Sequence, residues 1–358
     1  MSDSLASASA AAADTTPTAE ELTMALVIGE RIGKGQSASI YKARMSCGTE
    51  VAVKMAKIEC ASNLAAEARF IGRCEHPFVI RVLHQEGLMM VMELCDESLD
   101  AFIKRLPRGS LFEREKVALP LFAQLVLGVA RIHEEGIIHR DLKPSNVFLK
   151  NGEVRIGDFE FAELEEEPTN IRKGTPYYMA PEIVEDYEHD RSADIWALGC
   201  ILFEIIMGDM MFLRATSHDQ LAEIQRSPYP LAPVLTVYVQ DLIRRLTAYN
   251  KAERIAIADV LCHPAVAPFV CRLAEHKPEV LRGITVTAEQ IRQGSLRTDL
   301  EPLPRPPPLA QTAPQRAPQE NYDLVWVPAA QFAPVPTRTS PTEREISRRI
   351  DFILAKTK

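Results

Sequence analysis

Apolar and polar residues change rhythm partway along this 358-residue chain. Near its start, Leu26-Val27-Ile28 and the alternating Val51-Ala52-Val53-Lys54 carry the period of two that marks strands, and Leu88-Met89-Met90-Val91-Met92 continues as a buried one. Between them, Leu64, Glu67, Ala68 and Ile71 recur at helical spacing, with Glu67 on the inward face. After Glu93 the helical period takes over. Ser98 caps a short helix, and residues 115–135 predict the longest helix, stopped by Gly136. Ile195, Leu198, Ile201 and Leu202 stripe another helix that starts at Asp194. Two apolar flanks, Ile137-Ile138 and Val147-Phe148-Leu149, read as buried strands on either side of a polar loop. Strands gathered first and helices later predict an α+β chain.

The two ends follow neither rhythm. Residues 1–23, rich in Ala, Ser and Thr, lack the basic start and apolar block of a secretory signal and read as a disordered arm. Residues 274–341 read as a proline-rich linker, densest from about Glu301 onward, where extended, solvated backbone is favoured. It serves as a spacer or offers itself to a proline-reading or docking partner. Within it, Tyr322 to Val327 form an apolar island. Residues 342–358 begin with a capping-box pattern, Thr342 and Glu345, and place Ile346, Ile350, Ile353 and Leu354 on one face of a short amphipathic helix.

Composition narrows the partners. A net charge of −8 argues against general nucleic-acid binding. Seven cysteines without a C-x-x-C pair fit reduced thiols in an intracellular setting, cytoplasmic or nuclear. No apolar run approaches the length of a membrane span.

The polar loop holds the candidate chemistry. Asp141 can orient a hydroxyl and accept its proton; Lys143 can neutralise charge on a transferring group; Asn146 offers an amide oxygen to a hard cation. A second carboxylate for such a cation follows at Asp158. Residues 139–146, His-Arg-Asp-Leu-Lys-Pro-Ser-Asn, resemble the catalytic loop of eukaryotic protein kinases in its serine/threonine form, and Asp158-Phe159-Glu160 resembles the metal-binding tripeptide that follows it. Gly33-Lys34-Gly35-Gln36-Ser37-Ala38-Ser39-Ile40 is similar to the glycine-rich loop, and Val51-Ala52-Val53-Lys54 to the strand carrying the phosphate-binding lysine. Gly174-Thr175-Pro176 through Ala180-Pro181-Glu182, and Asp194 through Gly199, continue the likeness, which covers about 250 residues. Phe148, Met92 and Gly-Thr-Pro-Tyr-Tyr add a resemblance to the NIMA-related kinases, with pieces of that set shared by calcium/calmodulin-type relatives.

The resemblance implies a bilobal fold over residues 24–273, with a β-rich N-lobe at 24–93 and a helical C-lobe at 94–273. It implies ATP and Mg²⁺ as cofactors and protein substrates with Ser or Thr acceptors. Asp141 and Lys143 become catalytic; Asn146 and Asp158 hold metal. Ile32, Gly33, Gly35 and Ile40 belong to the phosphate and adenine side. Ala52, Met92 and Phe148 flank adenine, backbone groups of Glu93 and Cys95 bond it, and Lys54 meets the phosphates, held by Glu67. Thr175 bonds toward Asp141, Glu182 pairs with Arg254, and Asp194 bonds the catalytic loop. His133 reads as a packed helix histidine. Arg140 implies an anchor for a phosphorylated activation-loop residue, with Thr169 as the acceptor or a glutamate from the run at 163 and 165–167 in its place. Two departures, Ala38 for the third loop glycine and Glu160 for the tripeptide glycine, raise the alternative of a pseudokinase scaffold.

Overall fold

A computed structural model describes residues 26–107, 109–166, 174–185 and 190–296. The expected arm, the proline-dense stretch, the terminal helix, Glu167 and Thr169 lie outside them. The period-two segments pair into one antiparallel sheet from β1 (Val27–Lys34), β2 (Ala38–Arg44), β3 (Glu50–Ala56), β4 (Val82–Glu86) and β5 (Met89–Glu93), in the order β1-β2-β3-β5-β4. Helix α1 (Ala61–Arg73) connects β3 to β4. Alternation decides what each strand contributes. Val51, Val53 and Val91 gather with Ala43 and Met45 in a small core on one face. Ala52, Met90 and Met92 join the main core on the other, and Lys54, opposite Met90 in the ladder, shares that face.

After β6 (Glu97–Ser98), helix α2 (Leu99–Arg105) starts as expected, with the Ser98 hydroxyl accepting from the Ala101 N–H at 3.2 Å. Helix α3 (Leu111–Glu134) begins four residues before the expected 115, because Ser110 caps it and accepts from Glu113 N–H at 3.3 Å. This helix corrects the reading that no apolar run is long enough for a membrane. It meets the length and hydropathy of a span, yet 67% of its most apolar 18-residue window is buried inside the protein, as in a core helix.

Strands β7 (Ile137–Ile138), β8 (Val147–Lys150), β9 (Glu153–Ile156) and β10 (Glu163–Leu164) bracket the catalytic loop. They pair as β6-β8-β9 and β10-β7. The helices α4 (Pro181–Val184), α5 (Ser192–Met207), α6 (His218–Gln225), α7 (Val237–Leu246), α8 (Ile257–Leu261), α9 (Ala267–His276) and α10 (Ala288–Ser295) complete the larger part. Almost all of α5 is buried, since it packs against both α3 and α7. The expected bilobal α+β kinase fold is observed. Its C-terminal border differs: a linker does not begin at 274. Val280 and Ile291 are fully buried, and α10 opens with a capping box between Thr287 and Gln290. The proline density that suggests a tail begins only near residue 301, beyond this packed segment.

Candidate active site

The sheet register delivers Lys54 into the cleft between the two parts. Its Nζ lies 2.8 Å from both Glu67 carboxylate oxygens and 2.8 Å from Asp158 Oδ1. Glu67 stands on the buried face of α1 with Leu64 and Ile71, whereas Glu59, before the helix, is exposed. Burial alone would lower the Lys54 pKa; the Glu67 and Asp158 carboxylates reverse this and hold the ammonium above its ordinary value. Burial likewise opposes ionisation of Asp158, but Lys54 outweighs it and lowers the carboxyl.

The catalytic loop is built around one buried carboxylate. Asp194, at the start of α5, accepts the His139 and Arg140 N–H groups, each at 2.9 Å. The third partner is His133, whose Nε2 is 2.9 Å from Asp194 Oδ2. Sequence reasoning gave His133 no such role; its inward position on α3 was the available signal. These bonds, with His133 foremost, overcome the penalty of full burial and lower the Asp194 pKa. They hold a turn in which Arg140 adopts φ 66°, and Asp158 opposite adopts φ 60°. Left-handed backbone in two residues other than glycine stores strain at this loop.

Asp141 lies where three donors converge. Lys143 Nζ is 2.6 Å from Oδ2, the Asn146 amide donates to Oδ2 at 2.9 Å, and the Thr175 hydroxyl donates to Oδ1 at 3.0 Å. Lys143 also donates to Thr175 Oγ1 at 2.7 Å. Thr175 is delivered by Gly174, whose φ of +124° and approach to the Arg140 carbonyl, 2.9 Å from any added Cβ, admit only glycine. Asn146 spends its N–H₂ on the Asp141 carboxylate and carbonyl. The amide oxygen, assigned from that network, remains to accept a cation beside Asp158. Two protein oxygens suit Mg²⁺, which takes further ligands from phosphates and water.

The nucleotide side is apolar and braced. Ala52 and Met92 are buried, Ile40 and Phe148 half-buried and Ile32 exposed at the loop's mouth. Neither Gly33 nor Gly35 has positive φ, and an added Cβ would meet only ordinary contacts with Ile40 and Ala38. The loop's own packing therefore does not demand glycine. Glu93 already gives its N–H to the Arg81 carbonyl, which narrows its backbone offer to a base to the carbonyl. Its side chain takes the Arg81 N–H and Lys150, both at 2.9 Å, stiffening the hinge. Cys95 is half-buried, and burial pushes its thiol up to about 12.

At the two departures the structure is specific. Phe159 is buried against the His139 ring, with centroids 4.8 Å apart. Glu160 has no positive φ and so occupies the glycine position without strain. Its carboxylate accepts the Ser37 hydroxyl at 2.7 Å, joining the loop of Gly33 and Gly35 to the Asp158 segment. Further along, Arg254 forks onto Glu182 at 2.6 and 2.9 Å, as expected. The glutamate that meets Arg140 is Glu163, whereas Glu165 pairs with Arg191.

Behind this segment the Tyr178 hydroxyl donates to Glu204 at 2.6 Å. Burial pushes the Glu204 carboxyl up to about 7, against the lowering effect of Tyr178. A folded pKa above the unfolded one gives stability that is complete below about pH 4.5 and lost as pH rises through about 7. Glu204→Gln mimics the protonated acid. It should raise stability by up to about 3 kcal/mol near pH 8 and change little near pH 5, as read by paired thermal melts. Equal effects at both pH values would refute the buried charge.

The comparisons agree with this geometry. The protein kinase domain family model matches residues 26–266. Serine/threonine-protein kinase Nek3 of Mus musculus is 34% identical over 226 residues, covering 60% of this chain and 43% of that protein. Serine/threonine-protein kinase ULK3 of Mus musculus is 31% identical over 264 residues, 67% of this chain and 54% of that protein. Serine/threonine-protein kinase PLK4 of Drosophila grimshawi is 31% identical over 249 residues, 65% and 32% respectively. The chain spans about half the length of the first two of these curated relatives. Nek3 among them agrees with the NIMA-like resemblance. With its Lys54–Glu67–Asp158 cluster and its Asp141 loop set in a fold matched over residues 26–266, the chain belongs to the protein kinase domain family.

Proposed function

We propose that this chain is a catalytically competent serine/threonine kinase that transfers the γ-phosphoryl group of ATP to protein hydroxyls. The carrying observation is the assembled pair of clusters: Lys54 bonded at once to Glu67 and Asp158, and Asp141 bonded to Lys143, Asn146 and Thr175. Lys54 orients the α- and β-phosphates. Asp141 positions the acceptor hydroxyl and takes its proton, and Lys143, 2.6 Å away, offsets charge on the transferring group. Asn146 and Asp158 would hold Mg²⁺, which would supply positive charge to offset that of the phosphates. Thr175, bonded to both catalytic side chains, is the local floor against which a substrate hydroxyl would lie.

A second reading, a nucleotide-binding scaffold, draws on Ala38 and on Glu160 tied to Ser37. Two measurements separate them. Magnesium-dependent thermal stabilisation by ATP tests binding, and radiolabel transfer to casein or myelin basic protein tests chemistry. Transfer supports the kinase reading; binding with no transfer across several substrates leaves the scaffold.

A further inference from the structure

The segment after α9 returns to the back of the cleft. It turns at Lys277-Pro278, and Val280 becomes fully buried with its carbonyl 3.0 Å from His76 Nε2. His76 belongs to the loop between α1 and β4. Its Nδ1 accepts the Phe78 N–H at 3.2 Å, so Nε2 carries the proton and donates to Val280. Burial pushes the ring down to about 4, which keeps it neutral in that tautomer. Lys277 pairs with Glu153 at the start of β9, and Thr285 N–H donates to Glu134 at the end of α3, at 2.9 Å. Gly283, at φ +69°, lies where a Cβ would come within 3.2 Å of the Arg131 guanidinium.

What this segment covers is the rear of the catalytic cluster. Arg131 donates to the Arg73 carbonyl at 3.2 Å, and Arg73 donates to the Glu135 carbonyl at 2.8 Å, joining the end of α1 to the end of α3. Glu67 sits on that same α1, less than two turns earlier. From His76 the chain runs to Phe78 and Ile80, which exchange backbone bonds with Ile156 at 2.9 and 2.8 Å. Ile156 lies two residues before Asp158. Both carboxylates that hold Lys54 are thus anchored to the loop that His76 fastens. The fastening segment lies outside residues 26–266, the span matched to the family.

We propose that residues 277–285 are a rear strap, that His76 is its catch, and that His76 is therefore a positioning residue for the Lys54–Glu67–Asp158 cluster. The effect on turnover rests on the kinase reading above; the effect on α1 does not. In the full chain, His76→Ala removes the donor to Val280, His76→Gln restores an amide donor, and Gly283→Val drives a side chain into Arg131. Hydrogen exchange across α1 should quicken several-fold in His76→Ala and Gly283→Val, with α5 unchanged, and should partly recover in His76→Gln. The kcat/KM for ATP should fall about tenfold in the first two, since small displacements of a catalytic group are costly. Exchange in α1 that stays unchanged, or that rises together with α5, overturns the strap and leaves a merely structural contact. A wild-type chain without transfer activity overturns the kinase reading instead, and the exchange result alone then decides the strap.

Discussion

Asp141→Asn is expected to lower phosphoryl transfer to myelin basic protein by about three orders of magnitude, the middle of the range for losing a general base. The fold should survive. An amide oxygen can receive Lys143 and Asn146 as the carboxylate does, and the new N–H₂ faces Thr175 Oγ1, which can accept. The melting temperature should therefore move by only a few degrees, on the order of 1 kcal/mol, and stabilisation by MgATP should persist. Lys54→Met, by contrast, should lose both activity and nucleotide stabilisation, because it strands Glu67 and Asp158 with no counter-charge. Wild-type-like turnover in purified Asp141→Asn would sink the mechanism.

Glu163→Gln should silence the enzyme more deeply than phosphatase treatment of the wild type. Arg140 is buried next to Asp141, and its guanidinium meets the Glu163 carboxylate. The glutamate is fixed by strand pairing, Glu163 opposite Ile138, so the charge is present without modification. Removing it while keeping an amide leaves a buried cation partly compensated, about 2 kcal/mol, or more than tenfold in the ordered population of the segment. Phosphatase-treated wild type should keep most of its activity, and Thr169→Ala should weaken it only modestly. Should phosphatase abolish activity while Glu163→Gln remains active, phosphate is the switch and the ion pair is only structural.

Much of the site is legible from the chain because its groups are set by local spacing. Asp141, Lys143 and Asn146 occupy one loop, and Lys54 follows an alternating strand whose face is fixed by Val51 and Val53. Glu67 is separable from Glu59 because only Glu67 shares the period of Leu64 and Ile71. Other features depend on contacts between distant segments and leave no such trace. Which glutamate meets Arg140 is decided by the β10–β7 ladder, so the acidic run alone leaves Glu163 and 165–167 equivalent. The role of His133 appears only when α5 brings Asp194 to it. Val280, Leu281, Ile284, Val286 and Ile291 are scattered among polar residues without a long periodic run, and the burial of Val280 and Ile291 shows that the folded part continues beyond 273. The early start of α3 turns on Ser110, a cap ahead of the first clear apolar period.

The bond between Ser37 and Glu160 carries a consequence for descent. The two residues are 123 positions apart, yet each supplies what makes the other worth keeping. A lineage that carries glycine at 160 leaves the Ser37 hydroxyl without its acceptor, and drift at 37 then costs little. One that loses the hydroxyl first leaves the Glu160 carboxylate without that donor. Selection on either position is therefore selection on both, and the pair should be gained and lost as a unit.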